Sequence, residues 1–234
     1  MLTHYKTEVL RVVVVEALRR ARSRGVTYRE LAEATGVDET LLARYVSGRV
    51  MPGARQAERI WKGLLDILGP ARLLAESLEK GRLDVEAALG DPLFVVMSQL
   101  YFLDRIKARV DRILVPEAAG IGLATALGIA LGVHVVVARR TKEYTWAEYV
   151  EAGFEDPASG RSMIFYARKD LLSGAEWILI VDDIVQTGRT LHAMEKIVES
   201  VGGRVAAIAA VIVVGSEWKR FVRSRVIPIL EIAR

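Results

Sequence analysis

The chain has 234 residues, of which 52% are hydrophobic and 26% charged, and its formal net charge is +4. This length and apolar content allow one large domain or two modest ones with a buried core, so the composition excludes disordered and fibrous proteins. With no cysteine and three histidines, the sequence also excludes a disulfide framework, a cysteine zinc site and a thiol nucleophile, and it disfavours a histidine metal site.

Composition also bears on environment. The sequence has no asparagine and three glutamines, and this depletion of thermolabile residues predicts a thermophile protein. We expect a cytoplasmic location, because no N-terminal signal peptide is recognisable. The uncharged stretch 118–138 is long enough to cross a bilayer, but glycines and His134 interrupt it, so we predict no membrane span.

The excess positive charge is confined to the N-terminal segment. Residues 1–55 hold 10 Lys and Arg against 6 Asp and Glu, a net of +4, whereas residues 56–234 hold 23 of each kind. A basic segment on a neutral body predicts a polyanionic partner for that segment. The alternative is a solvated basic surface with no partner.

Helix signals follow one another in this basic segment. Residues 7–24 predict a first helix with an arginine-rich end. Thr27 is placed to cap a second helix over 28–35, with Glu30 completing a capping box and Gly36 ending the helix.

A third helix is predicted over residues 38–47, closed by Gly48. Two short helices joined by a tight glycine turn are typical of a helix-turn-helix. The string TYRELAEATGVDETLLARYVSGRVMPG strongly resembles the DNA-binding domains of Cro and C1 repressors. An ordinary three-helix packing unit is the alternative.

The resemblance implies that helix 38–47 enters the major groove of double-stranded DNA. On this interpretation the side chains that face bases are Glu39, Thr40, Ala43 and Arg44. The residues placed near phosphates are Thr27, Arg29, Arg49 and Arg55, and Tyr28 belongs to the same DNA-binding set. Because Asp38 and Glu39 oppose phosphates, we expect modest affinity and a role for Glu39 in accepting from a cytosine amine.

Residues 56–91 predict several short helices with breaks at Gly69-Pro70, Gly81 and Gly90-Asp91-Pro92. Their apolar faces form either core or a dimerisation surface. The predicted domains are therefore a DNA-binding head over 1–55, a helical connector over 56–91 and an effector domain over 92–234.

Two strand-helix-strand patterns follow and predict a parallel sheet, with ligands beyond the carboxyl ends of its strands. The first pattern has strands at 112–115 and 133–137, joined by the turn 116–121 and a helix to Gly132. The second has a strand at 177–181, a turn at 182–189, a helix at 190–200 and a strand at 204–214.

The turn of the second pattern has the residues of a phosphate cradle. Gly188 lets backbone amides approach an anion, Thr187 and Thr190 add hydroxyl donors, and the next helix presents its positive end. The stretch 178–190 closely resembles the phosphoribosyl pyrophosphate (PRPP) loop of type I phosphoribosyltransferases, except at Gln186, where the family usually has a small residue.

That resemblance implies that Asp182 and Asp183 bind the ribose hydroxyls of PRPP and help to hold Mg²⁺ with the pyrophosphate. The full set of PRPP-binding residues that it implies is Asp182, Asp183, Ile184, Val185, Gln186, Thr187, Gly188, Arg189 and Thr190.

The first pattern carries a second resemblance to the same family. Residues 116–121 resemble its pyrophosphate loop, and the cations after the next strand resemble its basic cluster. The pyrophosphate-binding residues implied are Glu117, Ala118, Ala119, Gly120, Arg139, Arg140 and Lys142. Residues 165–172 resemble the strand before the PRPP loop in xanthine phosphoribosyltransferases and in a purine repressor built on that fold.

The sequence thus predicts an α/β protein with a parallel-sheet type I phosphoribosyltransferase fold after a small all-α helix-turn-helix domain. This arrangement resembles purine repressors and a group of regulators of sugar catabolism. We favour a homodimeric transcription regulator that senses PRPP or a related phosphorylated metabolite, with no catalytic residue assigned. The alternative is an active purine or pyrimidine phosphoribosyltransferase with a DNA-binding appendage. Trp218 and Phe221 are its candidates for base contact, although packing in the core or at the surface is the favoured role of each, and residues 144–160 are its candidate lid.

Overall fold

The computed structural model describes residues 4–79, 84–156 and 160–233. Contacts divide the chain into two compact units, Met1–Asp104 and Arg105–Arg234. The division falls at the end of helix Pro92–Arg105, whereas the domain boundary expected from the sequence lies before Pro92. Within the described residues, no helix is long and apolar enough to cross a membrane.

Helices make up the described part of the N-terminal unit. They are α1 (His4–Ser23), α2 (Tyr28–Thr35), α3 (Glu39–Val46), α4 (Ala54–Leu68), α5 (Pro70–Glu79), α6 (Val85–Gly90) and α7 (Pro92–Arg105). The predicted breaks at Gly69-Pro70 and Gly90-Asp91-Pro92 are confirmed. The predicted break at Gly81 lies outside the described residues.

Local caps explain where α2 begins and ends. The Thr27 hydroxyl accepts from the Glu30 amide at 3.1 Å, and the Glu30 carboxylate accepts from the Thr27 amide at 2.7 Å. This reciprocal pair is the predicted capping box. Gly36 ends the helix at φ +62°, a left-handed conformation that glycine adopts without strain.

Helix α4 closes the core of this unit by packing on α1 and α2. Leu18, Leu31, Leu42, Ile60 and Leu64 are fully buried there. Gly63 is the point of closest approach, because a Cβ atom on it would lie 2.3 Å from the Ala34 carbonyl oxygen and 2.8 Å from the Thr35 Cα. The backbones of α2 and α4 therefore leave no room for a side chain.

We expect Gly63→Ala to lower the free energy of unfolding by about 1–3 kcal/mol, the usual cost of overpacking, although alanine favours a helix interior. Urea unfolding measures this loss. The control is Gly90→Ala in the same unit, because a Cβ at Gly90 meets nothing within 4 Å. Equal stability of the two variants would contradict the tight α2–α4 contact.

The C-terminal unit is built on parallel strands with helices between them. Its strands are β1 (Arg112–Pro116), β2 (His134–Ala138), β3 (Tyr149–Asp156), β4 (Arg161–Arg168), β5 (Trp177–Val185), β6 (Arg204–Val214) and β7 (Val226–Ile232). Its helices are α8 (Ile121–Leu131), α9 (Lys169–Leu172), α10 (Arg189–Ser200) and the 3-10 turn Glu217–Arg220.

Five strands form one sheet in the order β2-β1-β5-β6-β7, and every neighbouring pair is parallel. This confirms the predicted α/β fold. Strands β3 and β4 form a separate antiparallel hairpin, which packs on α10 through β3. Only β3 lies in the segment 144–160 that was expected to be a lid, and residues 157–159 of that segment are outside the described residues.

Two predicted boundaries are wrong in this unit. Strand β5 continues to Val185 instead of ending at Val181, because Asp182, Ile184 and Val185 stay paired with β6. The segment expected as a strand over 165–172 ends at Arg168 and finishes as the single helical turn α9. Non-local pairing decides the first boundary, and local propensity does not reveal it.

Asp111 fastens the amino ends of β1 and β5 together. Its carboxylate accepts from the Trp177 amide at 3.0 Å, the Glu176 amide at 3.2 Å and the Arg109 guanidinium at 2.7 Å. These bonds, that from Trp177 above all, hold the pKa of Asp111 below its ordinary value.

A carboxylate whose pKa is lower in the folded than in the unfolded state stabilises the fold at pH values above the unfolded-state pKa. This stabilisation is lost as the pH falls through the folded-state pKa. We therefore expect Asp111→Asn to cost about 1.5–3 kcal/mol at pH 7. The difference from the wild type should shrink below about pH 4. Urea unfolding of both proteins across pH 3–7 measures it, and a difference independent of pH would contradict the role of the charge.

Candidate functional sites

Helix α3 is the predicted recognition helix, and one face of it is buried through Leu42 and Tyr45. Its first amides are capped by Asp38, whose carboxylate accepts from Thr40 at 2.9 Å and Leu41 at 3.3 Å. Asp38, which we expected to oppose DNA phosphates, therefore stabilises the start of the helix. It occupies the positive end of the helix.

All the side chains predicted to contact DNA lie outside the core. Seven of them are exposed, and the other two are half-buried. The exposed residues are Thr27, Arg29, Glu39, Thr40, Arg44, Arg49 and Arg55, and the half-buried ones are Tyr28 and Ala43.

The cations in this set differ in their pairing. The Arg29 guanidinium binds Glu33 at 3.0 Å, and the Thr27 hydroxyl is committed to the capping box. In the described part of the chain, no acidic side chain forms an ion pair with Arg44, Arg49 or Arg55. These three arginines are the ones best placed to meet an incoming phosphate or base without first losing an intramolecular ion pair.

The predicted phosphate cradle lies at the carboxyl end of β5. Residues Ile178 to Val181 are fully buried, which fixes the strand that leads into it. Gly188 caps α10 at φ +78°, and a Cβ there would lie 2.9 Å from the Trp218 Cα, Cβ and O atoms. Eight residues between Asp182 and Leu191 line a concavity of about 180 Å³ at this helix N-terminus. An N-terminus of this kind attracts anions.

A second set of contacts ties α10 to the segment 215–225, and sequence reasoning did not find it. The Glu195 carboxylate, which is 4% exposed, accepts from the amides of Ser224 at 2.8 Å and Arg223 at 3.2 Å. His192 Nδ1 lies 3.0 Å from the Phe221 carbonyl oxygen. No sequence motif marks Glu195, but a carboxylate on the buried face of a predicted helix is the signal that identifies it.

Two aromatic residues of the segment 215–225 pack around the predicted phosphate cradle. Trp218 packs against Gly188 and donates from Nε1 to the Gly215 carbonyl at 3.2 Å. The Arg189 guanidinium stacks on the Phe221 ring at 4.9 Å. Both rings that were candidates for base contact therefore have structural partners around α10.

The acidic pair combines one buried and one half-buried carboxylate. Asp182 is 6% exposed and accepts from the Asp183 amide at 3.0 Å. Burial, and next the neighbouring Asp183, raise the pKa of Asp182 well above its ordinary value.

These carboxylates fit a magnesium ion that is shared with a ligand. In the described part of the chain, no group of three or more acidic or histidine side chains forms a metal cage. Mg²⁺ is commonly held by one or two carboxylates together with substrate phosphates. Asp183, the more accessible of the two, is the better candidate for direct contact, and the ion would supply positive charge to a diphosphate.

The predicted pyrophosphate loop meets the acidic pair at the same sheet edge. A Cβ on Gly120 would lie 3.8 Å from the Asp183 amide nitrogen and 3.3 Å from Val115 Cγ2. The Glu117 carboxylate, from the same loop, accepts from the Arg140 amide at 2.8 Å. Ala118 is exposed and Ala119 half-buried between them. The loops after β1, β2 and β5 thus converge, as parallel strands require.

The predicted basic cluster contacts its own surroundings. Arg139 pairs with Glu143 at 2.5 Å, and Lys142 with Glu151 at 2.9 Å. The hydrogen bond with Glu151 raises the pKa of Lys142. Arg140 lies over the Phe165 ring at 5.3 Å. These cations follow the carboxyl end of β2, and two of them pair with carboxylates.

The phosphoribosyl transferase domain model matches residues 96–226, which is more than half of the chain. The chain belongs to this family. A helix-turn-helix domain model matches residues 14–69 and supports the predicted head.

Proteins of similar sequence include xanthine and adenine phosphoribosyltransferases. A xanthine phosphoribosyltransferase from Leuconostoc mesenteroides is 30% identical over 152 residues, which cover 62% of this chain and 75% of that protein. An adenine phosphoribosyltransferase from Lactobacillus delbrueckii is 34% identical over 101 residues, 43% of this chain. That match spans only 56% of the relative's length.

A solved structure agrees with the fold. The adenine phosphoribosyltransferase of Thermoanaerobacter pseudethanolicus superposes with a TM-score of 0.58 at 26% identity. The superposition covers 64% of this chain and 88% of the other.

We expect Gly188→Ala to destabilise the C-terminal unit more than Gly174→Ala. Both glycines have φ near +79°, but a Cβ at Gly174 meets nothing within 4 Å, so Gly174→Ala incurs only the backbone cost of roughly 1–2 kcal/mol. At Gly188 the contact with Trp218 adds about 1–3 kcal/mol. Equal losses in urea unfolding would show that Trp218 does not constrain the cradle.

Proposed function

We propose that the protein is a DNA-binding transcription regulator whose phosphoribosyltransferase domain senses PRPP or a related phosphorylated metabolite. The observation that supports this proposal most is that a single chain contains both a helix-turn-helix with capped helices and a phosphoribosyltransferase domain with a predicted phosphate cradle. A transferase needs no recognition helix for its chemistry. A metabolite-controlled regulator needs both parts.

The effector site we propose consists of the cradle, the acidic pair and the pyrophosphate loop. Amides at the start of α10 and of the Gly120 loop receive phosphate oxygens, and Asp183 holds Mg²⁺ with the diphosphate. Asp182 and Asp183 together accept from the ribose hydroxyls. Convergence of these groups at one sheet edge supports the assignment.

We also propose that the regulator acts as a homodimer on a roughly two-fold symmetric operator. A single helix-turn-helix offers few base contacts, and paired heads read two half-sites. Sedimentation at micromolar concentration, with and without DNA, tests this assembly.

The second candidate is an active phosphoribosyltransferase with a DNA-binding appendage. Its support is that the relatives described above carry enzyme names and that both phosphate loops are present in order. Fold alone does not separate enzyme from sensor.

Coupling between effector and DNA separates the two candidates. With a duplex selected from a random pool by the wild-type protein, PRPP and Mg²⁺ should change DNA affinity by about 5- to 150-fold, the usual range for linked sites. The double substitution Asp182→Asn and Asp183→Asn should abolish the shift while DNA binding without effector persists. Fluorescence anisotropy measures affinity, and calorimetry checks PRPP binding.

The same samples test the enzyme candidate. Steady release of pyrophosphate on adding a purine or pyrimidine base, with DNA affinity unaffected by PRPP, would contradict the regulator and support the transferase. The regulator requires the opposite pattern.

A further inference from the structure

The carbonyl groups at the end of α3 are satisfied in an unusual way. The last four carbonyls of a helix have no partner within it. Here Ala43 accepts from Ser47, Arg44 from Arg49 and Tyr45 from Gly48, each at 3.0 Å. The remaining carbonyl, that of Val46, receives the side chain of Arg19 in α1.

Arg19 reaches Val46 across 27 positions of the sequence, and its Nε donates to the carbonyl at 2.8 Å. Gly48 leaves space for this contact, because a Cβ there would lie 3.1 Å from the Arg19 Nη2. A cation at the carboxyl end of a helix also interacts favourably with its dipole. The contact therefore combines a hydrogen bond with charge complementarity.

A second arginine of α1 holds the chain just beyond. Arg11 lies two helical turns before Arg19 on the same face of α1, and its Nε donates to the Pro52 carbonyl at 2.7 Å. The two arginines thus hold the ends of the segment 46–52, which contains Arg49. Helix α3 has eight residues and is too short to be stable alone, so its orientation depends on such tertiary contacts.

We infer that Arg19, assisted by Arg11, is a positioning residue that fixes the angle of the recognition helix and the path of Arg49 without touching DNA itself. This inference rests on the proposed DNA binding. Asp38 holds the other end of α3, so the helix is fastened at both ends.

The test compares Arg19→Ala with Arg20→Ala. Both arginines are on α1 with side chains 46% exposed, and both pair with Glu16, Arg19 at 3.8 Å and Arg20 at 2.7 Å. Only Arg19 also donates to α3. Each substitution removes one positive charge. They differ in the contact with Val46.

In the full chain without DNA, we expect Arg19→Ala to speed hydrogen exchange of the Gly48 and Arg49 amides about three- to tenfold, the effect of losing one hydrogen bond. Arg20→Ala should leave these amides unchanged, and exchange in α2 should be unaffected by either substitution. Arg19→Lys, which keeps the charge but lacks Nε, should give an intermediate rate. Unchanged exchange in Arg19→Ala would overturn the inference.

DNA binding supplies the second measurement, with the selected duplex and with a scrambled duplex at several salt concentrations. We expect Arg19→Ala to weaken binding to the selected duplex several-fold with the same salt dependence, since no phosphate contact is lost. A salt slope reduced by about 1 would make Arg19 a phosphate contact and overturn the inference. If the wild type binds neither duplex, the proposed function fails, whereas the exchange result still decides the role of Arg19.

Discussion

The pairing of β5 with β1 on one side and β6 on the other is the constraint on which the C-terminal unit depends. A fully buried strand cannot shift its register without exposing apolar side chains. Ladder pairing extends through Asp182 to Val185, so the acidic pair stands on a rigid strand. Since the neighbouring strands are parallel, their loops must meet the acidic pair at the same edge.

In the N-terminal unit, a different kind of contact fixes the position of an exposed element. Helix α3 has little stability of its own, and its position comes from Leu42 and Tyr45 in the core, Asp38 at one end and Arg19 at the other. A buried strand fixes the predicted phosphate cradle, and charged side chains fix the predicted recognition helix. In both units a rigid, non-local contact lies directly behind the exposed face for which we propose a binding role.

Local patterns in the sequence were sufficient for much of this architecture. The capping box of Thr27 and Glu30, the turn at Gly36 and the parallel strands all follow from residues close together in the chain. The extension of β5, the approach of Trp218 to Gly188 and the bond from Arg19 to Val46 do not. Each joins residues about 27 or more positions apart, and its existence depends on backbone placement that no local pattern encodes.

The ion pairs of the basic cluster indicate how a ligand would act on the rest of the unit under the proposed function. Solvent screens exposed pairs such as those of Arg139 and Lys142, so they contribute little, whereas a diphosphate offers stronger charge-assisted bonds. A bound diphosphate would therefore take Lys142 from Glu151 at little cost. Glu151 belongs to β3, which packs on α10, so the exchange alters the hairpin that lies against the cradle helix. Under the proposed function, the β3–β4 hairpin is therefore the element that we expect to respond to the ligand, because pairing on both sides fixes β5 in the sheet.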